Sequence, residues 1–292
     1  MLPRKELTLN QLGRPLESSS RMVRKRKPHS LFVSYAQNFE DVLINRFFLG
    51  QPGFYIDVGA GDPRRDSVTA GLYRNGWHGI NLEPSFRNFR KLKRERRRDL
   101  NLRVAAGAER GEVKMTFARN LHESSSTSII SKHLSTRKGS WSESVQVETL
   151  DGILEKWFVG QSIDLVKIDV EGSELSVLKG LDLIKWKPRL LLVELVNGHV
   201  DISKEIQDFL RQSGYLEAHF DSLNGFFVQA KDLEHASSVF RFGVTYQDNF
   251  LNFQHHRLWV WSLGPLRKWI QISLSEFLDS IRGRPTRRSY PK

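Results

Sequence analysis

The sequence predicts an α/β protein whose mostly parallel sheet is covered by helices on both faces and closed by an antiparallel C-terminal edge. Three observations predict it. Short apolar runs at 54–58, 78–82, 163–168 and 189–196 alternate with helical periodicities, the pattern of parallel strands joined by crossovers. The first run enters the glycine turn Gly59-Ala-Gly-Asp62, and the second closes on an acid, Glu83. Near the end, runs at 215–220 and 225–229 flank the turn at 221–224, the spacing of a hairpin.

Residues 1–30, rich in Arg, Lys and Ser with little apolar periodicity, read as a flexible basic tail. Asn38 is placed to cap a helix through Leu49, with Phe39, Val42, Leu43, Phe47 and Phe48 on its apolar face and Gly50 and Pro52 as its stop. After the glycine turn, Asp66 or Ser67 starts a helix that ends near Asn75-Gly76. Pro84-Ser85 opens a further helix, with Phe86, Phe89 and Leu92 on its apolar side and its arginines on the solvated side.

A third strand is predicted over 100–105. Strands at 112–117 and 144–149 flank a long polar stretch, 119–142, which reads as an active-site lid or a mobile insertion. Asp151 is expected to cap a helix to Phe158, another helix begins over 173–178, and one over 202–212 stops before Gly214. Residues 31–230 are thus expected to form one domain. The aromatic and basic extension 231–292, with Phe250, Trp259, Trp261 and Trp269, is expected to dock on it as an accessory segment.

Composition narrows the function. The 292 residues contain no cysteine, which excludes disulfides, thiolate catalysis and cysteine-based zinc sites. No 18-residue apolar run and no hydrophobic leader is present, so a cytoplasmic protein is expected. The net charge of +12 is concentrated at 1–30, 87–98 and 282–292, which carry +6, +7 and +5, so the rest of the chain is net acidic. The tails suit peripheral contact with anionic membrane lipid, through Arg24-Lys-Arg-Lys27 or the C-terminus. Nucleic acid is disfavoured because no recognition module accompanies the charge. The apolar extension also leaves a homo-oligomer open.

The chemistry concentrates at strand ends, where open parallel sheets bind ligands. Gly59 and Gly61 permit a close turn, Asp57 and Asp62 offer acceptors, and Glu83 sits where it can bind two ribose hydroxyls. Ala106, at the next strand end, is placed to contact an adenine ring. Gly59-Ala-Gly-Asp-Pro63 lacks the dinucleotide fingerprint, and no Gly-Lys-Ser/Thr follows it, so nicotinamide and phosphate-loop readings are disfavoured. A nucleoside cofactor without pyrophosphate, such as S-adenosyl-L-methionine, fits better.

Further segments extend this signal. They are Ser34-Tyr-Ala-Gln-Asn-Phe-Glu-Asp41, Tyr55-Ile-Asp-Val-Gly-Ala-Gly-Asp62, Asp66-Ser-Val-Thr69, Gly76-Trp-His-Gly-Ile-Asn-Leu-Glu-Pro84 and Leu165-Val-Lys-Ile-Asp-Val-Glu-Gly172, closed by Phe220-Asp-Ser-Leu-Asn-Gly-Phe-Phe227. In this order and spacing, over about 34–229, the chain resembles the FkbM family of S-adenosylmethionine-dependent methyltransferases. The resemblance implies a doubly wound, seven-stranded Rossmann-like methyltransferase sheet and methyl transfer to oxygen. It places Asp57, Gly59, Gly61 and Glu83 at the cofactor, with Gln37 and Ser67 near its methionine part or sugar hydroxyls. It also favours a hydroxylated acceptor, a sugar of a glycan, polysaccharide or glycolipid.

Removal of the acceptor's proton needs a base. Asp169 and Glu171, at and just beyond a predicted strand end, are the first acidic candidates, and Glu194 ends the next strand. His122 leads the imidazoles from within the polar stretch, with His133 beside it and His199 beyond Asn197. Asp169 with Glu194 or His199 offers hard metal ligands, but no compact motif fixes their geometry, so a divalent metal is not favoured. The alternatives are a noncatalytic nucleotide- or glycan-binding protein, or a methyltransferase acting on nucleic acid or a small metabolite.

Overall fold

A computed structural model describes residues 31–118, 125–126, 140–158, 162–197, 200–201 and 203–253. Contacts divide the chain into Met1–Leu31 and Phe32–Lys292, and all elements below belong to the second unit. The expectations for 1–30, for most of 119–142, for His122, His133 and His199, and for 254–292 fall outside the described residues.

The core is a seven-stranded sheet formed by β2 (Phe54–Val58), β3 (His78–Leu82), β4 (Leu100–Leu102), β9 (Leu165–Ile168), β10 (Leu190–Glu194), β13 (Tyr215–Phe220) and β14 (Asn224–Gln229). Its order is β13-β14-β10-β9-β2-β3-β4, and every pairing from β10 to β4 is parallel. Only β14 runs against its neighbours, pairing antiparallel with both β10 and β13. The chain lays down β2, β3 and β4 outward, then returns to place β9 on the other side of β2. That reversal is the topological switch point, where such sheets open a crevice.

Alternation along the strands divides the core. Ile56, Val58, Val166, Ile168, Leu191 and Val193 face one side, against α4 (Leu150–Trp157), α5 (Glu174–Lys179), α6 (Leu183–Trp186) and α7 (Ser203–Gln212). Tyr55, Leu165, Leu190 and Leu192 face the other, against α1 (Glu40–Phe47), α2 (Val68–Arg74) and α8 (Leu233–Phe240). Arg46 of α1 binds Asp248 at 2.5 Å, and β15 (Phe250–Asn252) pairs in parallel with β1 (Phe32–Ser34), while β11 (Val196–Asn197) and β12 (Val200–Asp201) form a short antiparallel pair. Among the described residues no helix is long and apolar enough to cross a membrane.

Several local expectations shift. Residues 100–105 do not form one strand: β4 joins the main sheet, whereas β5 (Ala105–Ala106) joins a second sheet. That sheet has the order β5-β8-β6-β7, with β6 (Gly111–Ala118) and β8 (Ser140–Glu148) as a long antiparallel pair beside β7 (Ser125–Ser126). The α4 helix is capped by Thr149, whose hydroxyl accepts the Gly152 N–H at 3.0 Å, rather than by Asp151. In α1 the N-cap is Phe39 in the left-handed region, not Asn38, because the chain must turn sharply to bury Glu40 and Asp41.

The helix α3 (Phe86–Glu95) departs most from its amphipathic reading. Phe86 is exposed, while Asn88 and Leu92 are buried. Arg96, at its C-cap, is buried as well. Its guanidinium meets Asp99 at 3.2 Å, Tyr55 Oη at 3.3 Å and Thr69 Oγ1, and Tyr55 Oη donates to Asp99 at 2.6 Å. Removing one partner of a buried pair leaves the other charge unsatisfied, at about 3–5 kcal/mol. Arg96→Ala is therefore expected to lower unfolding stability by about that much in urea titration, while exposed Arg97→Ala changes it by no more than about 0.5 kcal/mol.

Candidate active site

A cleft of about 420 Å³ opens at the C-terminal ends of β2, β3 and β9. Its floor is the turn after β2, where Gly59 has φ +73° and Gly61 has φ +60°. A side chain at Gly59 would overlap the Asp169 carbonyl oxygen, so close approach of the two strand ends requires glycine there. Space over Gly61 is open: among the described residues, none beyond its chain neighbours has an atom within 4 Å of where its Cβ would be. The turn is tied to β3 by the N–H groups of Gly59 and Ala60, which donate to Leu82 O at 3.0 and 3.1 Å.

Glu83 lines the cleft with a buried carboxylate. One oxygen accepts the Gly61 N–H and the other the Ser85 N–H, both at 2.7 Å. Each oxygen keeps a further lone pair for a ligand hydroxyl. Burial pushes the Glu83 pKa up to about 7, against the opposing pull of the two N–H donors and the Lys167 charge. Beyond it, Val104, Ala106, Val113, Met115 and Val147 give an apolar wall shared between the end of the main sheet and the second sheet. Gln37 lines the cleft as well.

Gln37 is positioned by its flanks. Asp41 accepts from Ser34 Oγ at 2.7 Å and from the Tyr35 N–H at 2.8 Å. Glu40 accepts from the Asn38 N–H at 2.8 Å and from Asn224 Nδ2 at 2.9 Å. These two acids thus clamp both sides of 35–38. Burial pushes Glu40 to about 8 and Asp41 to about 7.

The acids form the opposite wall. Asp169 and Glu171 both line the cleft. Burial, then repulsion from Asp169 and Glu174, pushes Glu171 to about 7. Its backbone is left-handed, at φ 58°, in a tight loop whose Val170 and Gly172 N–H groups both donate to Glu174 Oε1 at 3.0 Å. Glu194 does not line the cleft. Its Oε2 is buried with no hydrogen-bond partner among the described residues, and burial with repulsion from Asp169, Glu171 and Glu174 raises its pKa well above the usual carboxylate range.

Two further candidates stand away from the surface of the cleft. Asp57 is buried beneath the turn, accepting from Thr69 Oγ1 at 2.6 Å. Ser67 is the buried N-cap residue of α2. Among the described residues, no group of three or more His, Asp or Glu is arranged to hold a metal ion.

The residue that sequence reasoning missed is Lys167. It is buried in β9, donates to Gly59 O at 2.8 Å, and its Nζ lies 3.3 Å from both Asp57 Oδ1 and Asp169 Oδ2. Burial opposes its charge, but Asp169 and Asp57 outweigh burial and raise its pKa above the ordinary lysine value. The signal was present: a lysine inside the buried run Leu165-Val-Lys-Ile168 needs a paired acid.

The strand order and the cleft at its switch point define a Rossmann-like α/β fold with a crevice where such sheets bind ligands. The methyltransferase FkbM domain matches residues 57–217, and the chain belongs to that family. No curated protein matches the chain significantly. Among solved structures, an FkbM methyltransferase from Methylobacillus flagellatus KT is 19% identical with a TM-score of 0.41, the match spanning 60% of this chain and 43% of that one. Precorrin-6y C5,15-methyltransferase from Geobacter metallireducens GS-15 is 11% identical, over 68% of this chain and 90% of that one, with a TM-score of 0.37. The 1,6-didemethyltoxoflavin-N1-methyltransferase of Burkholderia thailandensis, bound to 1,6-didemethyltoxoflavin and S-adenosylhomocysteine, is 12% identical, over 65% and 74%, with a TM-score of 0.33.

The buried carboxyls set a pH dependence of unusual sign. In the unfolded chain they ionise near pH 4. Glu40, Asp41, Glu83 and Glu171 do so at about 7 to 8 in the fold. Between these limits the folded state holds more protons, so stability falls as pH rises. Asp62 and Asp248 are lowered and titrate below this window, and His219, also lowered, opposes the trend as a single group. The thermal midpoint at pH 5.5 is expected to exceed that at pH 8.5 in scanning calorimetry, and a midpoint rising across the interval would contradict the burial of these groups.

Proposed function

We propose that the chain is an S-adenosylmethionine-dependent O-methyltransferase whose acceptor is a sugar hydroxyl of a glycan, polysaccharide or glycolipid. One observation carries the reading: Asp169 and Glu171 line the same cleft as the turn at 59–61 and Glu83. A cofactor-sized recess and a pair of carboxylates thus share one wall-to-wall space.

The residues fit the cofactor. Open space over Gly61 admits its backbone contact, Glu83 retains acceptor capacity for ribose hydroxyls, and the apolar wall around Ala106 and Met115 suits a flat base. Bound there, S-adenosylmethionine supplies an electrophilic methyl group. The remaining work is positioning and proton management. Asp169, held by the Lys167 ammonium, would accept a hydrogen bond from a neighbouring hydroxyl of the acceptor sugar and so position the reacting oxygen. Glu171, tuned to about 7, would accept the hydrogen bond of the reacting hydroxyl and take its proton.

Two variants separate binding from chemistry. Glu83→Ala removes charged hydrogen bonds worth about 1.5–3 kcal/mol and is expected to weaken cofactor binding roughly ten- to hundredfold in calorimetric titration. Asp169→Asn is expected to leave that affinity little changed and to lower turnover by about 100-fold or more. The acceptor class is tested with labelled methyl donor and separate pools of glycan, lipid-linked sugar, small metabolite and nucleic acid, followed by mass mapping of the product. Label on nitrogen, or on nucleic acid alone, would refute the sugar O-methylation reading.

A further inference from the structure

The outer face of α3 is a basic stripe that the cleft chemistry does not use. Phe86, Arg90, Lys93 and Arg97 recur at i, i+4, i+7 and i+11, so they line one side of the helix and its C-terminal extension. All four are exposed, Phe86 at 50%. Arg90, Lys93 and Arg97 form no ion pair among the described residues; the two former lie 5.7 Å from the rings of Phe86 and Phe89, and Arg97 donates to Arg94 O. The nearby acids are already engaged. Asp62 holds Lys91 at 3.0 Å, and Glu95 holds Arg64 at 2.6 Å.

Those two ion pairs hold the other side of the helix, because Lys91 and Glu95 lie across it from Phe86, Arg90, Lys93 and Arg97. With Arg96 donating to Pro63 O at 3.4 Å, they clamp the loop 62–66 onto α3. Asp62, Arg65 and Asp66 of that loop line the cleft, as do Pro84 and Asn88 at the start of the helix. The stripe therefore faces away from the cleft along most of its length and comes near it only at Phe86, two residues beyond Pro84. A ten-residue helix is about 15 Å long. A row of unpaired cations over that length exceeds what one phosphate of a small acceptor needs and matches an extended anionic surface. The exposed aromatic ring at its cleft end, flanked by the guanidinium groups of Arg90 and of Arg103 at 5.2 Å, suits insertion at headgroup level.

We propose that this stripe docks the protein on an anionic phospholipid surface, with its Phe86 end, where the helix begins beside the cleft, at headgroup level. Each cation near such a surface contributes enough to change partitioning about fivefold, and the contribution is screened by salt. The test uses the full chain and vesicles of phosphatidylcholine with or without phosphatidylglycerol, sedimented at physiological salt. Binding to the anionic vesicles is expected, and its loss by about 20-fold or more in Arg90→Glu/Arg97→Glu. Phe86→Ser should weaken binding at unchanged charge. A control of equal charge change, Lys204→Glu/Lys231→Glu, both at exposed positions, should keep most of the binding.

Circular dichroism and thermal melting verify that each variant is folded. Equal loss in stripe and control variants would mean that net charge or the basic termini carry the attraction, and would overturn the proposal. So would failure of the unaltered chain to bind, or a stripe that governs affinity for an RNA oligonucleotide and not for vesicles. No arm needs methyl transfer, so the outcome is independent of the acceptor assignment.

Discussion

The structure depends on one buried cation. Lys167 stands in register with Asp57 on the neighbouring strand, Asp57 with Asn81, and Asn81 with Asn101. Four adjacent strands thus present a polar row on one face, one residue from the ends of β2, β3 and β4. An unpaired lysine there would be prohibitively costly. Its ammonium is instead satisfied by Asp57, Asp169 and the carbonyl of Gly59, which belong to the strand below the turn, the acidic wall and the turn itself. Locating that charge correctly requires β2, β9 and the glycine turn to be assembled together.

The row continues beyond the sheet. Asp57 accepts from Thr69 of α2, Thr69 meets Arg96 at the end of α3, and Arg96 pairs with Asp99, which also accepts from Tyr55 and Asn81. Polar bonds therefore run from the basic helix to the cleft without a break. Such a network is costly if any member is missing and rigid when complete. This distinguishes it from the surface pairs Lys185–Glu155 and Arg211–Asp208, whose exposed charges contribute little.

The mostly parallel sheet with its antiparallel edge, and a cleft beside the glycine turn, were legible because they follow from local patterns: apolar runs of strand length, a glycine turn, and an acid closing the next strand. What stayed hidden was long-range. Thr149 and Asp151 are equally good caps on paper, and only the hydrogen bond to Gly152 separates them. Residues 100–105 alternate apolar and polar through Val104 with no glycine or proline among them, so no turn residue marks the break that sends β5 to another sheet. Arg96 sits in a run of arginines, and its burial becomes apparent only once Asp99, Tyr55 and Thr69 converge on it. Glu40 and Asp41 likewise look like solvent-facing acids of a first helical turn until their partners at Asn224 and Ser34 are known.

Charge is distributed so that the two halves of the proposed activity do not interfere. Four acids gather around the end of β9, which would attract cations indiscriminately if all were ionised. They are not equal: burial and mutual repulsion raise Glu171 to about 7 and Glu194 higher still, so these two hold protons into the neutral range. Asp169 is the member that Lys167 contacts, at 3.3 Å. The buried lysine thereby holds Asp169 in place at the cleft, beside Glu171. The surplus cations lie outside, on the helix that borders the rim, where water screens them from the reacting centre. Two cations are the exception, Lys167 and Arg96, each buried against an acid and joined through Asp57 and Thr69 into the polar row that links the cleft to that helix.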